Sequence, residues 1–267
     1  MRINMYRLEE VTEENRQWVI QFLRKDAVRN VFALYDLQHE TANTKMYAAF
    51  EGEVLKGYIL TYTGTTFPSA VLEGESEAAK ALVKYAPKNS FILHTPRNLM
   101  PIVTEKFPNT KCYTEDWMLV KRGHAIFFKS PHVRKLKGLE DAEKLMMLFA
   151  TNTDRPRESL ERNFERVSKT SIYGVFINGE LISCASVFIK LPEVWLIGGV
   201  YTRPNHRKKG YATLATSAIT EEALKNAECA SLFVRNDNYS AIRVYEKIGY
   251  KKIGEKIWVD VGTGLKP

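Results

Sequence analysis

Cysteine is scarce in this chain of 267 residues: Cys112, Cys184 and Cys229 stand far apart. They build no disulfide framework and no CxxC metal knuckle, which points to a reducing compartment, the cytoplasm. The five histidines, His39, His94, His124, His132 and His206, show no zinc-ligand spacing with one another or with the cysteines. No metal is expected on that ground. Long apolar runs are missing as well, and none approaches the roughly 20 residues a membrane span needs. Met1-Arg2-Ile3-Asn4 runs into Glu9, Glu10, Glu13 and Glu14 without an apolar core, so no signal peptide is expected. GxSxG, GxxxxGK[ST] and GxGxxG are all absent. Nucleophile-elbow hydrolases, P-loop enzymes and the common dinucleotide folds lose their sequence marks with them.

What the chain does have is charge of one sign. Thirty-nine Lys and Arg against 31 Asp and Glu leave +8, and 45% hydrophobic residues suffice for a sizeable core. A basic protein meets nucleic acid, an anionic membrane or a phosphate-bearing small molecule, or it is merely well solvated. The length suits about two domains.

Strand and helix patterns alternate, which predicts a mixed α/β architecture. In the second half, helices are predicted at Asp141 to Ala150 and Ser159 to Val167. A hairpin of strands 171–177 and 181–189 turns at Asn178-Gly179. A strand over Val194 to Thr202 follows, then a helix from Gly210 to Asn226 and a strand at Ser231–Arg235. A helix at Ser240–Ile248 and a strand from Tyr250 to Val261 complete the order. The first half echoes it. Tyr47-Ala48-Ala49-Phe50-Glu51-Gly52-Glu53-Val54 sits over Tyr173-Gly174-Val175-Phe176-Ile177-Asn178-Gly179-Glu180, which suggests a repeated supersecondary unit or an accidental hairpin likeness. Helices at 12–24, 75–85 and 97–106 are predicted around strands at 91–95 and 112–121. Lys121 to His132, with Gly123, Ser130 and Pro131, is the candidate boundary.

The segment from Val200 to Thr213 carries the chemistry. A strand ends, Pro204 turns the chain, and Arg207, Lys208 and Lys209 lead into Gly210 at a helix start. Unsatisfied N–H groups and the macrodipole at a helix N-terminus favour an anion, and glycine lets backbone approach a phosphate. The segment reads as a polyphosphate cradle or as a solvated basic turn. Gly198-Gly199 just upstream suits a bulge, a close backbone approach or a simple packing constraint.

Arg207-Lys208-Lys209-Gly210-Tyr211-Ala212 resembles the [Q/R]-x-x-G-x-[G/A] motif of the GNAT acyltransferase superfamily. Asn238-Tyr239-Ser240-Ala241 with Tyr245-Glu246-Lys247-Ile248-Gly249-Tyr250 is similar to that family's N-x-x-A-x-x-x-Y-E-K-x-G-[F/Y] segment, in the same order and at the family's separation. The resemblance covers about residues 132–260 and is much fainter over 1–123. It implies a GNAT fold, a mixed central sheet flanked by helices, in a tandem layout. Residues 1–123 would be a degenerate GNAT-like half and 132–267 the catalytic half, loosely like the glycine N-acyltransferase-like branch. It also implies acetyl-CoA as acyl donor and an amine as acceptor. The pantetheine arm would pair with Val200, Tyr201 and Thr202 as an added strand. The pyrophosphate would sit on the amides from Arg207 through Lys208, Lys209, Gly210, Tyr211 and Ala212 to Thr213. Asn238 would hydrogen-bond the pantetheine arm, and Tyr245 would protonate the departing thiolate as general acid, unless it is simply a core aromatic.

One feature of the family pattern is missing. The glutamate many members carry eleven residues before the motif is Leu196 here. Glu193 is a weak candidate base, and Asp154 and Glu158 are weaker ones. A lysine ε-amine is neutral in only about 1 in 2,500 molecules at pH 7, an α-amine in roughly one of ten, so a low-pKa amine is the expected acceptor. Its pocket is expected around Thr151 to Arg157 and near Lys256 to Val259, with Asp154, Arg155, Arg157 and Trp258 as candidate lining. Cys184 reads as a buried core thiol rather than a nucleophile. A CoA-binding sensor or scaffold without catalysis is the alternative reading. A nucleic-acid binder is disfavoured because Arg203, His206, Arg207, Lys208 and Lys209 cluster around one helix start instead of spreading over a face.

Overall fold

The structure, a computed structural model, describes residues 6–153 and 158–264. In chain order, the first ten elements are β1 (Arg7–Glu10), α1 (Arg16–Arg24), α2 (Val31–His39), β2 (Thr44–Glu51), β3 (Val54–Tyr62), β4 (Ser69–Gly74), α3 (Ser76–Leu82), β5 (Phe91–Thr95), α4 (Met100–Lys106) and β6 (Lys111–Lys121). The next ten repeat the order: β7 (Val133–Lys135), α5 (Gly138–Phe149), α6 (Leu160–Lys169), β8 (Ile172–Ile177), β9 (Glu180–Lys190), β10 (Val194–Thr202), α7 (Tyr211–Asn226), β11 (Cys229–Arg235), α8 (Tyr239–Ile248) and β12 (Lys251–Val261). The hairpins of the two halves coincide in register. Glu51 faces Val54 across one turn, and Ile177 faces Glu180 across the other. Asn178 at φ 50° and Gly179 at φ 81° supply the two left-handed residues that a tight turn between twisted strands requires.

The chain forms two compact units, residues 1–116 with 254–267, and residues 117–253. Each is a mixed sheet flanked by helices. In the first unit the strand order is β1-β2-β3-β4-β5-β12, antiparallel except for the parallel pair β4–β5. Its core gathers Ala49, Ile59, Leu72 and Leu93 under Leu82 of α3 and Val103 of α4, with Ile257 and Val259 from the end of β12. The division is therefore not linear in sequence. Within β12 the chain passes from one unit to the other at Gly254.

In the second unit the order is β6-β11-β10-β9-β8-β7. Ala215, Ile219 and Ala223 of α7 pack with Ile248 of α8 on one face of the sheet. Leu145, Leu148 and Phe149 of α5 and Val167 of α6 cover Leu181 and Cys184 on the other. The small residues of α7 let it lie close to the strands, as its three- and four-residue spacing predicts. Beside them Thr216, Ser217 and Thr220 are buried with their hydroxyls. Thr220 donates to the Thr216 carbonyl at 2.7 Å and lies 2.9 Å from the Tyr250 hydroxyl, while Phe128 N–H donates to Ser217 at 2.8 Å. The segment 122–132 is fastened to this unit: besides the Phe128 bond, Arg122 Nε donates to the Leu224 carbonyl at 2.9 Å and Ile126 N–H to the Ile248 carbonyl at 2.9 Å. Among the described residues no helix is long and apolar enough to cross a membrane, and no group of three or more His, Cys, Asp or Glu is placed to hold a metal.

Candidate active site

The two central strands of the second unit part company. β10 and β11 run parallel and pair only from Val194–Cys229 to Leu196–Ser231, although β10 continues to Thr202 and β11 to Arg235. Beyond Leu196, β10 stays paired with β9 alone, down to Thr202–Ser183. A wedge thus opens beside Ile197 to Thr202, with strand amides and carbonyls on its β10 wall. The β9–β10 ladder slips twice there, between Leu196 and Ile197 and between Gly198 and Tyr201, and Gly199 takes φ 59°. The glycines lead into a bulge, with Gly199 and Val200 opposite Ala185 alone, and they also make a close approach. A Cβ at Gly198 would fall 2.7 Å from Cδ2 and 2.8 Å from Cζ of Phe188.

The basic segment begins where β10 ends. Pro204–His206 makes one 3-10 turn, Arg207 is extended, Lys208 takes φ 61° and Gly210 φ 83° before α7 starts at Tyr211. Gly210 is needed for that left-handed angle, since nothing lies within 4 Å of a Cβ placed on it. As N-cap it offers no side chain, and no side-chain cap bonds the first turn of α7. Its leading N–H groups are left for water or for an anion. Arg207, Lys208 and Lys209 are exposed, while Tyr211 and Ala212 are half-buried and Thr213 is buried. Arg207 Nε donates to the Thr202 carbonyl at 3.3 Å and its guanidinium lies 5.9 Å from the Tyr201 ring, so the arginine is drawn back over the end of β10.

On α8, Asn238 is the N-cap: its Oδ1 accepts from Ala241 N–H at 3.2 Å and from the Ser240 hydroxyl at 2.9 Å. That oxygen is committed to the helix, which leaves the amide NH2 as its group for a ligand. Tyr245, one helical face onward, is 7% exposed, with its ring edge-on to Tyr250 at 6.1 Å. Burial lifts its phenol to about 12.

The face of β10 toward α5 and α6 bears the predicted acceptor side. Trp195 and Ile197 point into the core under α7, so Leu196 and Gly198 point the other way. Leu196, standing where a base is expected, is buried at 2% exposure. Glu193 lies in the turn before β10, and a strand rise of about 3.3 Å per residue puts the Val200 end roughly 20 Å from it; it is not brought together with the wedge. Glu158 is gripped by a two-pronged Arg166 guanidinium at 2.7 and 3.1 Å, which occupies both carboxylate oxygens and makes it an ion-pair partner instead of a base. Thr151 lies 3.0 Å from the Tyr201 hydroxyl. Asp154, Arg155 and Arg157 lie outside the described residues. Lys256 to Val259, near which part of the acceptor pocket is expected, belong to the first unit, where Lys256 is 3% exposed and ion-paired to Glu73. Cys184 is fully buried, with Sγ 3.7 Å from the Gly199 carbonyl.

Sequence reasoning missed Phe188. The unbroken apolar run Val187-Phe188-Ile189 interrupts the alternation of β9, and that interruption is the trace a bulge leaves in a sequence.

Residues 137–250 match the family model described as the acetyltransferase (GNAT) family. No curated protein matches the chain in sequence. Among solved structures, a Drosophila protein superposes with a TM-score of 0.72 at 14% identity, over 97% of this chain and 99% of its own. A GCN5-related N-acetyltransferase from Kribbella flavida gives 0.66 at 16% identity, over 90% and 96%. A tandem GNAT protein from the clavulanic acid biosynthesis pathway gives 0.60 at 13% identity, over 97% and 100%. At these identities the likeness is one of fold.

Proposed function

From residues 137–250, a domain of the acetyltransferase (GNAT) family, we propose that the chain carries an acetyl group from acetyl-CoA to a low-pKa primary amine by direct attack in a ternary complex. The observation that carries this reading is the wedge between β10 and β11, opening onto the uncapped N-terminus of α7. The pantetheine arm pairs with Val200, Tyr201 and Thr202. The pyrophosphate rests on the amides from Arg207 to Thr213, with the Arg207, Lys208 and Lys209 charges around it. The Asn238 amide NH2 donates to the arm. In the transfer the amine nitrogen bonds to the thioester carbonyl carbon, and strand amides at the β10 bulge stabilise the oxyanion. The C–S bond then breaks, Tyr245 gives its proton to the thiolate, and the proton shed by the amine passes through water to restore the phenol. With Leu196 in place of a carboxylate, the amine must already be neutral when it attacks.

The other half of the chain, with residues 1–123, serves as a GNAT-like partner that holds no CoA. In the first unit Glu75 alone joins β4 to α3. Its N–H is bonded to the Lys56 carbonyl at 2.8 Å, and Glu77 stands in the first turn. Acidic residues at that helix start repel phosphate.

Acetyl-CoA should raise the melting temperature, since a ligand at 100 times its Kd adds about 2.7 kcal/mol. Arg207→Ala should weaken acetyl-CoA binding by about tenfold, the worth of a charge-assisted bond, as measured by calorimetric titration. Unchanged affinity would remove the phosphate cradle from this loop. Binding without CoA release from any amine would mark a sensor or scaffold.

A further inference from the structure

Phe188 is 60% exposed, yet it is not a side chain hanging in solvent. Between the Leu196–Ile189 and Ile197–Val187 pairs the β9–β10 ladder skips it, so Phe188 is the extra residue of a bulge. Its ring lies across the two glycines of β10. Cδ2 and Cζ stand 2.7 and 2.8 Å from where a Gly198 Cβ would be, and Cε1 is 3.6 Å from that of Gly199. The ring takes the place of the side chain that Gly198 lacks, on the face turned toward α5 and α6. One side of it is seated on backbone and the other is open.

We propose that Phe188 is the specificity residue for the acceptor, an aromatic platform that selects amines carrying an aromatic or bulky apolar group beside the nitrogen. The inference rests on the acyl-transfer reading of the β10–β11 wedge. The wedge, and with it the acyl donor, lies on the β11 side of β10. Phe188 reaches over β10 from β9, on the face turned toward α5 and α6, the face assigned to the acceptor. Leu196, on the same face of β10, adds an apolar neighbour and no carboxylate, so that stretch of the wall offers a polycationic acceptor no counter-charge. A planar or branched group stacks on the open ring face, buries it, and holds the amine over the bulge amides.

The test compares 2-phenylethylamine with ethylamine as probes of the full chain loaded with CoA, with dissociation constants read by NMR titration. The same titrations follow for Phe188→Ala and Phe188→Leu, each checked for acetyl-CoA affinity. The wild-type chain should bind 2-phenylethylamine about tenfold more tightly than ethylamine. Phe188→Ala should abolish that preference with acetyl-CoA affinity unchanged, and Phe188→Leu should keep part of it. Equal affinity for the two amines in the wild type, or a preference that survives Phe188→Ala, overturns the proposal. So does a variant that alters the choice of acyl chain and leaves the choice of amine intact. If the preference is present and lost with Phe188 but no amine, α-amines with a pKa near 8 included, releases CoA from acetyl-CoA, the platform stands and the acyl-transfer reading falls.

Discussion

Tyr245→Phe is expected to lower turnover about 100-fold, the small end of what a positioned general acid contributes, while acetyl-CoA affinity changes by less than about twofold. The substitution removes one oxygen and keeps the ring that packs edge-on to Tyr250 at 6.1 Å, so thermal stability should barely move. A phenol with a pKa lifted by burial to about 12 still suits the proposed role of general acid. A thiolate leaving into the same apolar surroundings is disfavoured for the same reason. Burial raises a thiol as it raises a phenol, as at Cys229, which is lifted to about 11. The pH dependence follows. Tyr245 stays protonated up to about pH 11, and no carboxylate base titrates at Leu196. The rate should therefore climb with pH as the acceptor amine loses its proton, and level off above the amine's own pKa without a falling limb below pH 10. A plateau beginning near pH 6 would instead reveal an enzyme base, and full activity in Tyr245→Phe would leave the thiolate to depart unaided.

Much of the second unit is legible because its marks are local. Asn178-Gly179 fixes a hairpin, Gly210 starts α7, Asn238 caps α8 and Gly249 at φ 102° ends it; each is a requirement of one turn on one residue. The strand Val194–Thr202 emerges at its predicted bounds. What local marks cannot carry is partnership. β12 is recognisable as a strand from its pattern, but which sheet it joins depends on residues far off in the chain. α2 escapes notice because Val31, Ala33, Leu34 and Leu37 are buried together with Asp36, which blurs the polar stripe. Burial, with the Glu40 charge nearby, lifts that carboxyl to about 7, which lowers the cost of holding it there. β4 is short and carries Glu73 toward the interior, where a strand pattern calls for an apolar residue. In the site the loop motif is explicit in the sequence. Phe188, by contrast, acquires its meaning from two glycines ten and eleven residues later, across a slipped ladder that only the folded chain displays.

Glu73→Gln should be the most damaging single change in the first unit. The Glu73 carboxylate is 2% exposed and both of its oxygens are taken. Arg29 donates to Oε2 from Nε and Nη2, each at 2.9 Å, and the Lys256 ammonium contacts Oε1. Lys256 is itself 3% exposed. An amide in place of the carboxylate leaves two cations side by side with no anion between them, and removing one partner of a buried pair costs about 3–5 kcal/mol. With an m-value of about 2 kcal/mol/M, the urea midpoint should fall by roughly 2 M; Trp18 and Trp258 lie in this unit to report it. Burial, reinforced by the Arg29 charge and opposed by Asp26, already pulls Lys256 down from its ordinary value in the wild type, and the variant removes the Glu73 carboxylate in contact with it as well. A lysine whose folded pKa lies below its unfolded value of about 10.4 binds fewer protons folded than unfolded over that interval, so folding gains as pH rises through it. The wild type should therefore gain stability between about pH 7 and 10, and the variant, whose Lys256 has lost the Glu73 carboxylate beside it, should gain at least as much. Adding Lys256→Met to Glu73→Gln should restore most of the loss at pH 7, since the buried charge that made the amide costly is then absent. If the double variant is no more stable than the single one, the damage lies in packing around Glu73, and the ion pair is not what holds this unit together.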